Sequence, residues 1–271
     1  MNSEKTLHFC LNSIKSQTYP NIELIVVDNF STDNTVNIAK RYGAKVLITG
    51  NERASQLNYG IEKATGKYIF ETGSDMVSEP NYIQEAVDKC EGGCDAVYSS
   101  VVSKEAKGYW EKVKALERKT YIGVNTVECS HFFRRRIFHY LGEFDKNLIS
   151  VEEDFQHRLD KSKLRTGRIA SVEIHLQEST SLQEIAKKSY YYGLYMRPYL
   201  KKHPVRGTLY LFPLRWAYVK NITLLLKNPH LTAGLIIYKI VQYFYGFLGL
   251  LDSYNRKDIT REGIYGKSSA D

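Results

Sequence analysis

Over its first hundred residues the chain alternates helical and strand patterns, and this alternation limits the fold more than any other feature. Leu7, Cys10, Leu11 and Ile14 recur at helical spacing, with Ser3 as the expected N-cap. Tyr19-Pro20-Asn21 ends that segment. Glu23-Leu24-Ile25-Val26-Val27-Asp28 is a nearly continuous apolar run, the pattern of a strand buried on both faces. A helix is predicted from about Thr35 to Gly43, a strand over 45–49, and a helix from about Arg53 to Gly66. A strand over 67–72, a helix over 80–90 with proline in its first turn, and a strand over 96–100 complete the series. Such alternation predicts an α/β fold: a mostly parallel sheet flanked by helices.

In sheets of this kind ligands bind at the carboxyl ends of the strands. Three strand ends carry polar clusters: Asp28-Asn29, Asn51 to Arg53, and Gly73-Ser74-Asp75. No Gly-x-Gly-x-x-Gly follows a strand and no Walker sequence occurs, which argues against dinucleotide and P-loop sites.

Hydrophobic residues make up 43% of the 271, enough for a core and against global disorder. Cys10, Cys90, Cys94 and Cys129 have no metal or disulfide spacing and read as reduced thiols of a cytosolic compartment. No signal peptide is expected ahead of the domain. The net charge of +8 is uneven: −3 over residues 1–157 and +11 over 158–271. A basic surface favours anionic partners. No recognisable nucleic-acid-binding motif accompanies it, so nucleic acid is not an expected partner.

Composition changes near Leu209. Two apolar stretches, 209–226 and 231–251, flank Lys227-Asn228-Pro229-His230. Lys239 and Gln242 interrupt the second, and a lysine at bilayer centre costs roughly 2.5–3.5 kcal/mol. Thr232, Lys239, Gly246 and Ser253 form a weakly polar stripe, which favours helices lying in a membrane interface over clean spans. Arg215, Lys220, Lys227, Arg256 and Lys257 could meet anionic headgroups. The expected division is a catalytic domain over 1–204 and a basic, apolar, membrane-associating helical extension over 205–271.

The segment from Leu11 to Thr35 reads LNSIKSQTYPNIELIVVDNFSTDNT. Together with Asn51-Glu52-Arg53-Ala54, Asn58-Tyr59-Gly60, Ala64-Thr65-Gly66-Lys67-Tyr68-Ile69 and Gly73-Ser74-Asp75, it resembles glycosyltransferase family 2, the inverting GT-A family. The resemblance resumes at Phe133-Arg134-Arg135, Leu141-Gly142-Glu143-Phe144-Asp145 and Glu153-Asp154, and covers about residues 2–200. It implies a Rossmann-like GT-A fold and transfer of a sugar from a nucleotide-sugar donor, with inversion.

The resemblance assigns roles residue by residue. Asp28 and Asn29 match a pair, often Asp-Asp in relatives, that binds the nucleotide. Arg53 matches an arginine near the base and phosphates. Gly73-Ser74-Asp75 stands where relatives carry Asp-x-Asp for Mg²⁺ or Mn²⁺, so the first carboxylate is absent, Ser74 and Asp75 face the donor, and Asp75 is the expected ligand. Glu71 is a weak substitute, and His175 matches a histidine that some relatives add to the metal. Asp154 matches the general base, which takes the acceptor hydroxyl's proton, with Glu153 in reserve. Arg134-Arg135-Arg136 is either a solvated patch or faces a phosphorylated acceptor.

The implied acceptor is a lipid-linked glycan or other glycan hydroxyl, at the cytoplasmic face of the cell membrane, for cell-surface polysaccharide or protein glycosylation. Two alternatives stand beside this: a polyprenyl-phosphate sugar synthase, and a degenerate GT-A domain that binds donor or a partner without turnover. Relatives begin with an apolar strand that residues 1–7 do not supply. Its absence would leave unpaired backbone groups beside the strand ending at Asp28.

Overall fold

The computed structural model describes residues 1–50, 53–124, 127–176, 181–210 and 215–255. In chain order the elements are α1 (Leu7–Lys15), β1 (Ile25–Asp28), α2 (Thr35–Arg41), β2 (Lys45–Ile48), α3 (Arg53–Lys63), β3 (Tyr68–Phe70), β4 (Met76–Ser78), α4 (Tyr82–Glu91), β5 (Ala96–Ser103) and α5 (Tyr109–Tyr121). There follow β6 (Phe132–Arg134), α6 (Arg135–Leu141), α7 (Val151–Lys161), β7 (Thr166–His175), α8 (Leu182–Tyr195), α9 (Arg197–Lys202), α10 (Pro204–Tyr210), α11 (Trp216–Lys220), α12 (Ile222–Leu226) and α13 (Pro229–Asn255). The first helix begins at Leu7 without a side-chain cap. Ser3 is not its N-cap but gives its carbonyl to the amides of Thr6 and Leu7.

The elements group into two compact units. One holds the described residues of 1–105, 121–145 and 151–176; the other holds 106–120, 146–150 and those from 181 onwards. This grouping differs from a division after residue 204, because α8 to α10 and most of α5 join the C-terminal helices.

The first unit carries the predicted α/β alternation, but its sheet is mixed and not mostly parallel. Five strands run in the order β3-β6-β5-β7-β4, and β1 and β2 form a separate parallel pair. Within the five only β5 and β7 are parallel. Every antiparallel pairing involves β4 or β6, strands of three residues each, too short to display a period in the sequence. Tyr82, Ile83, Ala86, Val87 and Cys90 of α4 pack on Val97, Phe132 and Ile169 of the sheet. Each such large side chain contributes roughly 1.5–3 kcal/mol by leaving water.

Among the described residues β1 pairs with β2 alone, and β3 with β6 alone. The other edges of β1 and β3 line one cavity of about 530 Å³, walled also by Leu7, Leu11 and Ile14 of α1 and by Leu57 and Ile61 of α3. The Glu23 carboxylate ties the start of one strand to that of the other by accepting from the Thr65 amide at 2.7 Å and hydroxyl at 2.9 Å. At the opposite ends Asp28, the last residue of β1, and Glu71, just beyond β3, line the same cavity. Ile25, Val26 and Val27, expected to be buried on both faces, are therefore only half-buried.

In the second unit α8 and α13 approach so closely that only glycine fits. A Cβ on Gly193 would lie 1.9 Å from the Gly246 carbonyl oxygen, and one on Gly249 would lie 2.1 Å from that of Tyr190. The residues expected to form a polar stripe turn inward here. Lys239 is buried against Glu117, which also binds Lys114 Nζ at 2.6 Å and the Tyr218 hydroxyl at 2.9 Å. Ser253 is buried too. The outward stripe of α13 is apolar instead: Ile236, Ile240, Phe244, Phe247 and Leu251 are all exposed, Ile240 at 63%. By length and composition Pro229–Asn255 could cross a membrane, and 22% of its most apolar window is buried. The stretch 209–226 is not one helix: α11 and α12 have five residues each, and residues 211–214, like Arg256 and Lys257, lie outside the described residues.

Candidate functional site

The strand ends of the first unit collect the polar side chains. Asp28, at the last position of β1, is buried and borders the cavity. Its Oδ2 accepts from the Ser31 amide at 2.8 Å and its Oδ1 from the Ser31 hydroxyl at 2.6 Å. These bonds fix the loop after β1, and a carboxylate has lone pairs left for a further donor. Asn29 follows, half-buried. Ser74 donates its hydroxyl to Ser3 Oγ at 2.9 Å, and both serines line the cavity.

Arg53 opens α3 and also borders the cavity. Its Nη2 lies 3.2 Å from Glu71 Oε2, and its Nε meets Glu152 Oε1. Its neighbours Asn51 and Glu52 lie outside the described residues. Glu71, the weak substitute for the absent carboxylate, is paired on both oxygens: its second oxygen meets His131 Nδ1. Burial alone would raise the Glu71 carboxyl, but the charges of His131 and Arg53 hold it below its ordinary value. Burial pulls His131 down, and Glu71 more than offsets it, lifting the imidazole to about 9. Glu173, buried and bonded by the Thr72 hydroxyl at 2.7 Å, is pushed up to about 6 by burial. This group of buried Glu71 and Glu173 with half-buried His131 has one sign in the sequence: Glu71 directly follows the apolar run of β3. His131 and Glu173 lie near or in strands that the sequence pattern did not disclose.

Asp75 and His175 come together, with Asp75 Oδ2 3.4 Å from His175 Nε2. Strand pairing enforces this, because His175 is opposite Met76 in the β4–β7 register. Among the described residues no three His, Cys, Asp or Glu side chains are grouped to hold an ion by themselves. One carboxylate and one imidazole still fit Mg²⁺ or Mn²⁺ completed by phosphate oxygens and water, because Mg²⁺ is usually held by one or two carboxylates plus substrate phosphates. Gly73 leaves room for this arrangement: a Cβ there would lie 2.8 Å from Asp75 Oδ1.

The acidic run Glu152-Glu153-Asp154 occupies the first turn of α7, where the helix dipole favours anions. Asp154 is fully buried, and its Oδ2 accepts from Arg158 Nε at 3.0 Å and Nη2 at 2.9 Å. Arg158 in turn donates to the carbonyls of Leu141, Gly142 and Glu143 at 2.6–2.9 Å. In this conformation Asp154 anchors a loop and does not face solvent, contrary to the position expected of a base. Glu153 is half-buried in the same turn.

The Arg134-Arg135-Arg136 run is spent on the protein. Arg134 donates to the carbonyls of Cys90 and Cys94, Arg135 to that of Ala64 at 3.1 Å, and Arg136 to Asp95 Oδ1 at 2.8 Å. All four cysteines are free thiols.

Comparison with known proteins bears on this arrangement. EpsE of Bacillus subtilis is 40% identical over 94 residues, covering 32% of this chain and 34% of that protein. Glycosyltransferase AglE of Haloferax volcanii is 27% identical over 166 residues, covering 55% of each. The chain thus spans about a third to a half of the length of these relatives. S. aureus TarS 1–349, solved in complex with UDP, superposes with a TM-score of 0.53 at 14% identity, covering 96% of this chain and 91% of that one. Glucosyl-3-phosphoglycerate synthase from Mycobacterium tuberculosis gives 0.52 at 18% identity, covering 72% and 75%. The fold is the GT-A fold. Residues 1–148, which include β1 to β6 and the strand ends bearing Asp28, Arg53 and Asp75, match the family described as Glycosyl transferase family 2, and to that family the chain belongs.

Proposed function

We propose that the chain transfers a sugar from a nucleotide-sugar to a hydroxyl, with inversion at the anomeric carbon. The observation that carries this is the convergence of Asp28, Arg53 and Ser74 on one cavity, with the Asp75–His175 pair next along the chain from Ser74. Asp28 and Asn29 have the donors and acceptors to hold ribose or base. The guanidinium of Arg53 suits a diphosphate, which it can bind through two parallel hydrogen bonds. Asp75 and His175 would hold Mg²⁺ or Mn²⁺ against the same diphosphate. When bound, the cation neutralises the charge that develops on the departing nucleoside diphosphate. The first turn of α7 supplies the base, and we assign the proton to Glu153, with Asp154 placing that turn through Arg158. The solved complexes of TarS with UDP-GlcNAc and of glucosyl-3-phosphoglycerate synthase with Mn²⁺ and UDP support the donor class.

Screening nucleotide-sugars for donor consumption, with and without Mn²⁺, tests the reading. In calorimetric titration, Asp75→Ala weakens binding of the active donor about tenfold or more when Mn²⁺ is present. Identical affinity for wild type and Asp75→Ala removes Asp75 from the metal. A chain that binds donor yet neither hydrolyses nor transfers it is the non-catalytic domain, a reading favoured by the edges of β1 and β3 that pair with no strand among the described residues.

The acceptor we infer is lipid-linked, a glycan on a lipid carrier or the polyprenyl phosphate itself, at the cytoplasmic face of the membrane. The outward apolar stripe of α13 and the exposed Lys220 and Lys227 support a chain that lies on an anionic bilayer. The chain is then expected to sediment with vesicles containing phosphatidylglycerol, and Ile240→Glu with Phe247→Glu abolishes sedimentation. A double variant that sediments like wild type rules out this stripe as the membrane contact.

A further inference from the structure

The hydrogen-bonding edge of Arg53 faces two carboxylates of opposite character. Glu71 has a side chain 5% exposed, and it is held from the other side by His131. It cannot follow the guanidinium outward. Glu152 is more open, at 19%, and stands at the start of a helix whose first turn carries two further carboxylates. Arg53 itself is 48% exposed and borders the cavity.

We infer that these two carboxylates act on Arg53 in opposite senses, Glu71 as the residue that positions it for the donor and Glu152 as a latch occupying it until the donor arrives. The inference rests on the reading of Arg53 as a donor-phosphate residue. A diphosphate bears more charge than a carboxylate and offers several oxygens to the same fork, so it competes with Glu152 for the guanidinium. Glu71 stays bonded on the buried side and keeps the fork aimed at the cavity. Displacement of Glu152 breaks a link between α3 and α7, the helix that carries Glu153. Donor binding thereby frees the first turn of α7 from Arg53.

The opposite signs make the test sharp. Affinity for UDP, GDP, CDP and ADP is measured by calorimetry on the full chain with Mn²⁺, for wild type, Arg53→Gln, Glu152→Gln and Glu71→Gln. For the nucleotide bound best, Arg53→Gln and Glu71→Gln weaken binding about tenfold or more, and Glu152→Gln tightens it roughly three- to tenfold. In Arg53→Gln/Glu152→Gln the gain disappears, because its cause is gone.

If Glu71→Gln does not fold, as judged by its melt, Glu71→Asp replaces it with the charge kept and the reach shortened; wild-type affinity in either folded variant overturns the positioning role. If no nucleotide binds wild type, or Arg53→Gln binds like wild type, the reading of Arg53 fails and the latch with it. If Arg53→Gln loses affinity but Glu152→Gln gains none, the donor site stands and the latch alone is overturned.

Discussion

Replacing Glu153 by glutamine lowers the transfer rate about 10²–10⁴-fold, the usual contribution of a positioned base, while melting temperature and donor affinity stay at wild-type values. The expectation follows from how α7 divides its acids. Glu152 is held by Arg53, and Asp154 is buried against Arg158, while Glu153 in the same first turn is half-buried and is the carboxylate we assign to the proton. The helix N-terminus favours the ionised form the reaction needs at its start. Asp154→Asn has a different signature. It takes the charge partner from a half-buried arginine and leaves a fully buried amide in its place, a change that costs up to about 3 kcal/mol. It also loosens the 141–143 loop that Arg158 pins through three carbonyls. Asp154→Asn therefore lowers both melting temperature and activity. If instead Asp154→Asn melts like wild type and transfers nothing, while Glu153→Gln remains active, Asp154 is the base and reaches the acceptor by leaving Arg158.

The sequence made the polar residues at the strand ends legible and left the buried carboxylates beneath them hidden, for reasons that lie in particular residues. Asp28, Arg53 and Asp75 each follow or border a strand with a clear apolar run, and the parallel pair β1–β2 formed where the alternation placed it. Asp75 and His175, a hundred residues apart, come together through the β4–β7 register, which no local pattern announces. Glu71 was visible only as a weak substitute for the absent carboxylate of the Asp-x-Asp position. Its partner His131 stands one residue before β6, whose three residues have no period to read. Lys239 misled in the other direction. A lysine in an apolar helix suggested a polar face toward water, but Glu117, from a helix more than a hundred residues earlier, draws it inward and leaves the apolar stripe outside.

A strand placed between β1 and β3 raises the melting temperature by about 10 °C. Among the described residues both strands have one edge without a strand partner, both edges line the same cavity, and Glu23–Thr65 ties their amino ends together. Met1 and Ser3 border that cavity, and Ser3 is bonded through its amide to Thr35 at 2.7 Å and through its hydroxyl to Ser74 at 2.9 Å, both beyond the carboxyl ends of the two strands. A strand running parallel to β1 and β3 therefore finishes where Met1 stands. Fusing Val-Ser-Val-Ile-Ile ahead of Met1 tests the fit directly. Each buried backbone group left without a partner costs about 1–3 kcal/mol, so satisfying even two or three of them recovers several kcal/mol of a net stability of about 5–15. One kcal/mol moves the midpoint roughly 2–4 °C for chains of 150–250 residues, hence the size of the shift. Val-Pro-Val-Pro-Ile in the same place is the control, because proline cannot donate to a neighbouring strand. Hydrogen exchange supplies the local readout: the amides of Ile25–Asp28 and Tyr68–Phe70 slow in the first fusion and not in the control. Equal melts for both fusions, with exchange at β1 and β3 unchanged, mean that the cavity does not accept a strand and that the two edges are satisfied in another way.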